Sequence, residues 1–183
     1  MKAKMGGSGT GYRSVADRNL TPLGSDPAAC RSDIPLARAR ETRAAYYWGA
    51  MPTTTEYYGI AQVTVAEFRT TRAAKRAMRK ISKWVPACPT VVEWSCTECD
   101  GIAQFDRKPA KRRMVGTESY SWRERTLSLG ASNGKAIAVR RGRTVVIVVA
   151  SHQTDPVTMA APSAPTWRTT VQLARRSLAR ATS

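Results

Sequence analysis

Apolar residues recur with two different periods along this chain. In EYYGIAQVTVAEF, residues 56–68, aromatic and β-branched positions alternate with small or polar ones, and the phase changes near 59–61. The period of two predicts a strand, and the phase change predicts a bulge within it. Immediately afterwards, in TTRAAKRAMRKISKWV (70–85), Ala74, Ala77, Met78, Ile81, Trp84 and Val85 fall three and four apart, the period of a helix. Met78 and Trp84 are the large members of that stripe and are expected in the core. Arg72, Lys75, Arg76, Arg79, Lys80 and Lys83 fill the opposite face, and Pro86 is expected to end the helix.

Downstream, PTVVEWS (89–95) has strand character, whereas the charge-rich DGIAQFDRKPAKRR (100–113) reads as a loop. SYSWRERTLSLGAS (119–132), KAIAVR (135–140) and RTVVIVVAS (143–151) predict three strands, turned at Asn133-Gly134 and Arg141-Gly142 into an antiparallel meander. The unbroken VVIVV implies a central strand covered on at least one face. A proline-broken stretch, TDPVTMAAPSAP (154–165), leads into a last helix over 165–181, with Pro165 in its first turn and Trp167, Val171, Ala174 and Leu178 as its apolar stripe.

The first residues show neither period. MKAKMGGSGTG lacks any apolar pattern, so 1–24 is expected to be a disordered leader or linker; its GGSGTG lacks the flanking strand and Lys-Ser/Thr of a phosphate loop. Helical character begins near Asp26 with a cap-plus-proline start, and PLARARETRAAYYW (35–48) is either a short helix or an irregular lead-in. Strands, helix, strands, helix predicts one α+β domain over 25–183, an antiparallel sheet with helices packed on one face.

Charge changes the picture more than size does. The 183 residues suit a single core, but 30 Lys+Arg against 13 Asp+Glu leave a net charge of +17, which attracts polyanions or an anionic surface. An Arg-, Ala-, Thr- and Val-rich composition is also what a GC-rich genome favours. VVIVVA (145–150) is too short to span a bilayer and the N-terminus has no apolar h-region, so no membrane span or export signal is expected in the chain as written.

Three of the four cysteines, Cys88, Cys96 and Cys99, crowd into WVPACPTVVEWSCTECDG (84–101), with Cys30 far upstream. Three chemistries fit them. Zinc would need a second close pair beside Cys96 and Cys99, and only Cys30, Cys88 or His152 remain to form it. A thioredoxin-type pair is suggested by Trp94 ahead of Cys96-Thr97-Glu98-Cys99, but the following residues do not look like the helix start that lowers a thiol pKa. An even number of cysteines on a basic domain fits disulfides in an exported protein.

The order of these features carries a resemblance. An early Cys30, a strand ending VAEF, a helix closing on Trp84 and Cys88, then VVEW, and later RGRTVVIVVAS followed by an amphipathic helix, resembles the PknH-like sensor domain over roughly 25–181. That family comprises ectodomains of actinobacterial receptor-type serine/threonine kinases and related secreted lipoproteins. The resemblance implies a twisted antiparallel sheet, a ligand-receiving cleft and a disulfide joining Cys30 to Cys88. At the positions of the family's later disulfide this chain has Gly130 to Ser132 and Ser151, which leaves Cys96 and Cys99 to pair with each other or stay reduced.

Catalytic signals are sparse. The single His152 has no G-x-S-x-G elbow to accompany it, and the scattered carboxylates are outnumbered by Arg and Lys; Glu118 and Glu124, near Trp122, are the two worth inspecting. The expected function is therefore a secreted or cell-surface, non-catalytic sensor-like domain. It needs no cofactor or metal and takes an unidentified small molecule or cell-envelope ligand in a cleft, with Tyr58, Trp94, Tyr120, Trp122 and Arg123 as candidate contacts. The alternative is a cytoplasmic protein binding nucleic acid or another polyanion non-specifically through Arg72, Lys75, Arg76, Arg79 and Lys83 of the basic helix and the loop at 107–113. A thiol oxidoreductase acting through Cys96 and Cys99 is the third reading.

Overall fold

The computed structural model describes residues 10–15, 19–20, 34–35, 41–48, 58–88, 90–94, 102–111, 115–126, 132–153 and 165–183. Ten strands and two helices follow one another in these residues: β1 (Thr10–Val15), β2 (Asn19–Leu20), β3 (Ile34–Pro35), β4 (Glu41–Trp48), β5 (Tyr58–Glu67), α1 (Thr71–Ala87), β6 (Thr90–Trp94), β7 (Ile102–Ala110), β8 (Glu118–Thr126), β9 (Ser132–Arg141), β10 (Thr144–Gln153) and α2 (Trp167–Ala181). Eight strands form one open antiparallel sheet in the order β1-β4-β5-β10-β9-β8-β7-β6, and β2 pairs with β3 apart from it. This is an α+β fold, as the alternation of periods indicates.

The sheet's centre is β10, and its sequence explains why. Val145 and Ile147 are buried in a cluster with Ala74, Ala77, Met78, Ile81, Trp84 and Val85 of α1, while Val146, Val148 and Ala150 are buried in a second cluster with Leu173, Ala174 and Leu178 of α2. Successive side chains of a strand point to opposite faces, so a run of valines with no polar interruption needs cover on both. The two helices accordingly lie on opposite faces of the sheet, and the expectation of helices on one face is corrected. An apolar stripe on a helix says that it packs on something; only the partner strand says on which side.

α1 is the helix its pattern predicts. Thr70 caps it, its side chain accepting from the Ala73 backbone N–H at 3.1 Å, and the six apolar residues are all buried, Met78 to 1% and Trp84 to 7% exposure. Pro86 sits inside the last turn and the helix runs on to Ala87, ending where the Cys88 N–H still bonds the Trp84 carbonyl at 2.8 Å. α2 begins after Pro165, with Thr166 as N-cap accepting from Thr169 at 3.4 Å.

Several expectations are corrected along the chain. Thr10–Val15 and Asn19–Leu20, placed in a disordered leader, supply β1 and β2; TGYRSV carries the aromatic and β-branched residues of an edge strand. Glu41–Trp48 is strand β4 and not a helix, in continuous register with β5. β5 itself keeps one register against β10 from end to end, without the bulge. The charge-rich stretch after Cys99 contains β7, whose Pro109 lies past Asp106, where β6 stops pairing and β7 becomes an edge of the sheet. Asn133-Gly134 is not a turn but part of β9. A Cβ at Gly134 would stand 3.2 Å from the Ala150 carbonyl oxygen, so this glycine allows a close approach of β10. The β9–β10 hairpin, expected to turn at Arg141-Gly142, turns one residue on at Gly142-Arg143, with Gly142 at φ 56°.

Candidate functional site

Because β7, β8 and β9 alternate their side chains, charged residues adjacent in sequence have opposite fates. Toward α1, Arg107 is buried to 2% exposure, its Nε donating to Glu124 Oε2 at 2.8 Å and its guanidinium lying 5.6 Å from the Trp84 ring centroid. The indole Nε1 of the fully buried Trp122 donates to the same carboxylate oxygen at 3.3 Å. Arg140, 5% exposed, repeats the arrangement, donating to Glu118 Oε2 at 2.8 Å and to the Gly142 carbonyl at 3.1 Å. Glu118 and Glu124 are thus the two carboxylates that merit attention, and each serves to hold a buried arginine.

Toward α2 the same strands carry cations that are not buried. Lys108 of β7, Arg123 of β8 and Lys135 of β9 stand directly opposite one another across three strands, and Asp106, Arg125 and Asn133 form the next row. These rows floor a cleft of about 480 Å³ whose lining also includes Trp167 at the head of α2. Lys135 ties that head to the sheet: its Nζ donates to the Pro165 carbonyl and lies 5.8 Å from the Trp167 ring centroid. Lys108 pairs loosely with Asp106 at 3.4 Å, whereas Arg123 and Arg125 make no ion pair among the described residues. Four cationic residues and Asp106 line the cleft, while the Glu124 carboxylate is turned to Arg107 on the other face, so the cleft's field is positive.

The candidate contacts named from sequence are therefore separated. Arg123 lines the cleft, but Tyr120 and Trp122 lie on the α1 face, their ring centroids 6.2 Å apart. Burial pushes the Tyr120 phenol above its ordinary value. The side chains of Tyr58 and Trp94 lie outside the described residues, as do Cys30, Cys96 and Cys99. The sequence reading missed Arg125, Lys135 and Trp167, and gave Lys108 to a polyanion-binding loop. Lys108 fell in the expected loop, and the register that sets it beside Arg123 and Lys135 is not visible until the strands are paired. Arg72, Lys75, Arg76, Arg79 and Lys83 are all exposed along α1, on the far side of the sheet from the cleft, with no acidic residue anywhere in that helix. His152 is the penultimate residue of β10, half-buried, and among the described residues no three His, Cys, Asp or Glu side chains gather as metal ligands would.

No family model matches the sequence, and no curated protein matches it. Among solved structures, the chain is similar to the extracellular domain of PknH from Mycobacterium tuberculosis, with a TM-score of 0.63 and 11% identity, over 99% of this chain and 89% of that one. The likeness is one of fold, and it extends through the sheet and both helices. Among the described residues no helix is long and apolar enough to cross a membrane.

Proposed function

We propose that this chain is a non-catalytic, sensor-like binding domain of the cell exterior, which receives a small ligand in the cleft between the β7–β9 floor and the head of α2. The observation that carries this reading is the cleft itself, about 480 Å³ in volume and lined by Lys108, Arg123, Arg125, Lys135 and Trp167. A concave site with a few convergent polar groups and one aromatic wall is how small-molecule sites are built. The fold shared with an extracellular domain supports the exterior setting. So does Cys88, which is disulfide-bonded and not a free thiol; its partner in this reading is Cys30. Neither Glu118 nor Glu124 is available as a general acid or base, since each is committed to an arginine, and this supports the non-catalytic part.

The test is a fragment screen followed by amide chemical-shift perturbation on the isotopically labelled chain. Perturbed residues should cluster at Lys108, Arg123, Lys135 and Trp167. A set of binders that instead maps to α1 would sink the reading. One observation favours a second reading, namely the unbroken basic face of α1, which suits non-specific attraction to a polyanion. Replacing Arg72, Arg76 and Arg79 with Gln should then weaken heparin binding and reduce its salt slope by about three. An unchanged slope removes that reading.

A further inference from the structure

The cleft's floor carries a row of like charges. Lys108, Arg123 and Lys135 are direct cross-strand neighbours in both pairings, Lys108 with Arg123 and Arg123 with Lys135, on one face of the sheet. Residues directly opposite on adjacent strands have Cβ atoms about 4.5–5.5 Å apart, and like charges there are destabilising. On the other face of the same strands, by contrast, Arg107 and Arg140 are each matched by a glutamate at 2.8 Å. A fourth cation, Arg125, adjoins the row, and of the two acidic residues nearby Glu124 is held by Arg107 and Asp106, among the described residues, pairs with Lys108. The head of α2 adds to the positive field. Its Thr166 cap stands next to Trp167 of the cleft wall, and α2 has no acidic residue in its first turn.

From this arrangement we infer that the cleft is a receptor for a phosphate-type oxyanion, held by the guanidinium groups of Arg123 and Arg125 with Lys108 beside them. This rests on the reading of the cleft as a ligand site and names the chemistry of its ligand. Two guanidinium groups two residues apart on one strand face present forked N–H donors to a tetrahedral oxyanion, which a lysine-only cluster does not. Bound anion also removes the repulsion along the row, so affinity and the instability of the unliganded state have one origin. Lys135 is a positioning residue: through Pro165 and the Trp167 ring it fixes the cleft's wall.

The probes are pyrophosphate, orthophosphate and, as a neutral counterpart, indole, each titrated at constant ionic strength held with sodium chloride. Calorimetry reads affinity, and the indole N–H signal of Trp167, assigned with Trp167→Phe, reads the location. Pyrophosphate should bind and shift that signal. The double variant Arg123→Gln/Arg125→Gln should raise its Kd at least about tenfold, the equivalent of one charge-assisted hydrogen bond. The matched pair Arg72→Gln/Arg76→Gln removes the same charge from the other face and should leave Kd within about twofold. Without ligand, Arg123→Gln should raise Tm by about 1–3 °C as the row is relieved. Equal losses in the two double variants would reduce the effect to net charge and overturn the proposal, as would a lower Tm for Arg123→Gln with unchanged pyrophosphate binding. Indole shifting Trp167 while pyrophosphate does not would leave a ligand cleft but refute the oxyanion. If neither probe shifts it, both readings fall.

Discussion

Breaking the Arg107–Glu124 pair is the sharpest test of how the α1 face is held together. Arg107 is 2% exposed and Glu124 retains 11% of its side-chain surface, so the pair is dry at one end and opens to solvent at the other. Removing one partner of a buried pair costs about 3–5 kcal/mol because it strands a charge. The partial opening at Glu124 argues for the lower half of that range. Glu124→Leu also leaves the Trp122 indole N–H, now 3.3 Å from an acceptor, without one, and should therefore cost about 4 kcal/mol. Glu124→Gln keeps an acceptor for both donors and should cost about 2 kcal/mol. The double variant Arg107→Met/Glu124→Leu puts a thioether against Trp84, replacing the cation that lies 5.6 Å from its ring, and should return to within about 2 kcal/mol of the parent, the remainder being the indole N–H of Trp122 left without its acceptor. Urea unfolding of these three variants and of the single Arg107→Met, monitored by far-UV circular dichroism with slopes held equal, gives all four values. If the single substitutions simply add, or if Glu124→Leu costs under about 1 kcal/mol, the pair is not a buried, coupled unit and the account of this face is wrong.

Three further outcomes follow from other parts of the molecule. Gly116 has φ 70°, and a Cβ there would stand 2.5 Å from the Arg140 carbonyl oxygen, so Gly116→Ala should cost about 2–3 kcal/mol; Gly142→Ala, at φ 56° with nothing within 4 Å, should cost only about 1 kcal/mol, and urea midpoints will show whether the order holds. Because burial raises the Tyr120 phenol's pKa in the folded state, its contribution to stability is fully present below the free-tyrosine value and is lost as pH rises through the higher folded value. Alkaline unfolding should therefore begin at higher pH in Tyr120→Phe than in the parent. Alkylation of the unfolded, unreduced chain should leave Cys30 and Cys88 linked, a closure that stabilises by about 4 kcal/mol in the chain-entropy model; four labelled cysteines would remove the exterior setting.

How much of this was legible in the sequence depends on the period of each element. α1 was plain, because six apolar residues at helical spacing against six cations admit one orientation, and β10 was plain because no other segment is so uniformly β-branched. β4 and β7 were not. ETRAAYYW and IAQFDRKPA mix helix formers, charges and a proline, and their strand state follows from pairing with β5 and β8 and not from their own propensity. The side of the sheet on which each helix lies was hidden for a related reason: both helices show one stripe, and the decision is made by the strand that serves them both.

The site was harder still, since a net charge of +17 does not say which cations are partnered. Arg107 and Lys108 are neighbours in the chain, and so are Arg123 and Glu124. Pleating sends the first of one pair and the second of the other to the α1 face, where they meet and are buried; it sends Lys108 and Arg123 to the α2 face, where they meet as like charges beside an open cleft. A slip of one residue between β7 and β8 would set Arg107 against solvent and Lys108 against Trp84, leaving Glu124 without its arginine. The buried Arg107–Glu124 pair therefore favours the register that assembles the cation row, so the proposed oxyanion site on one face is coupled to ion pairing on the other. Glu124→Leu, which strands Arg107 on the α1 face, should for that reason weaken pyrophosphate binding on the α2 face, while Arg107→Met/Glu124→Leu, which keeps the register, should restore it. Unchanged affinity in Glu124→Leu would mean that the two faces are independent.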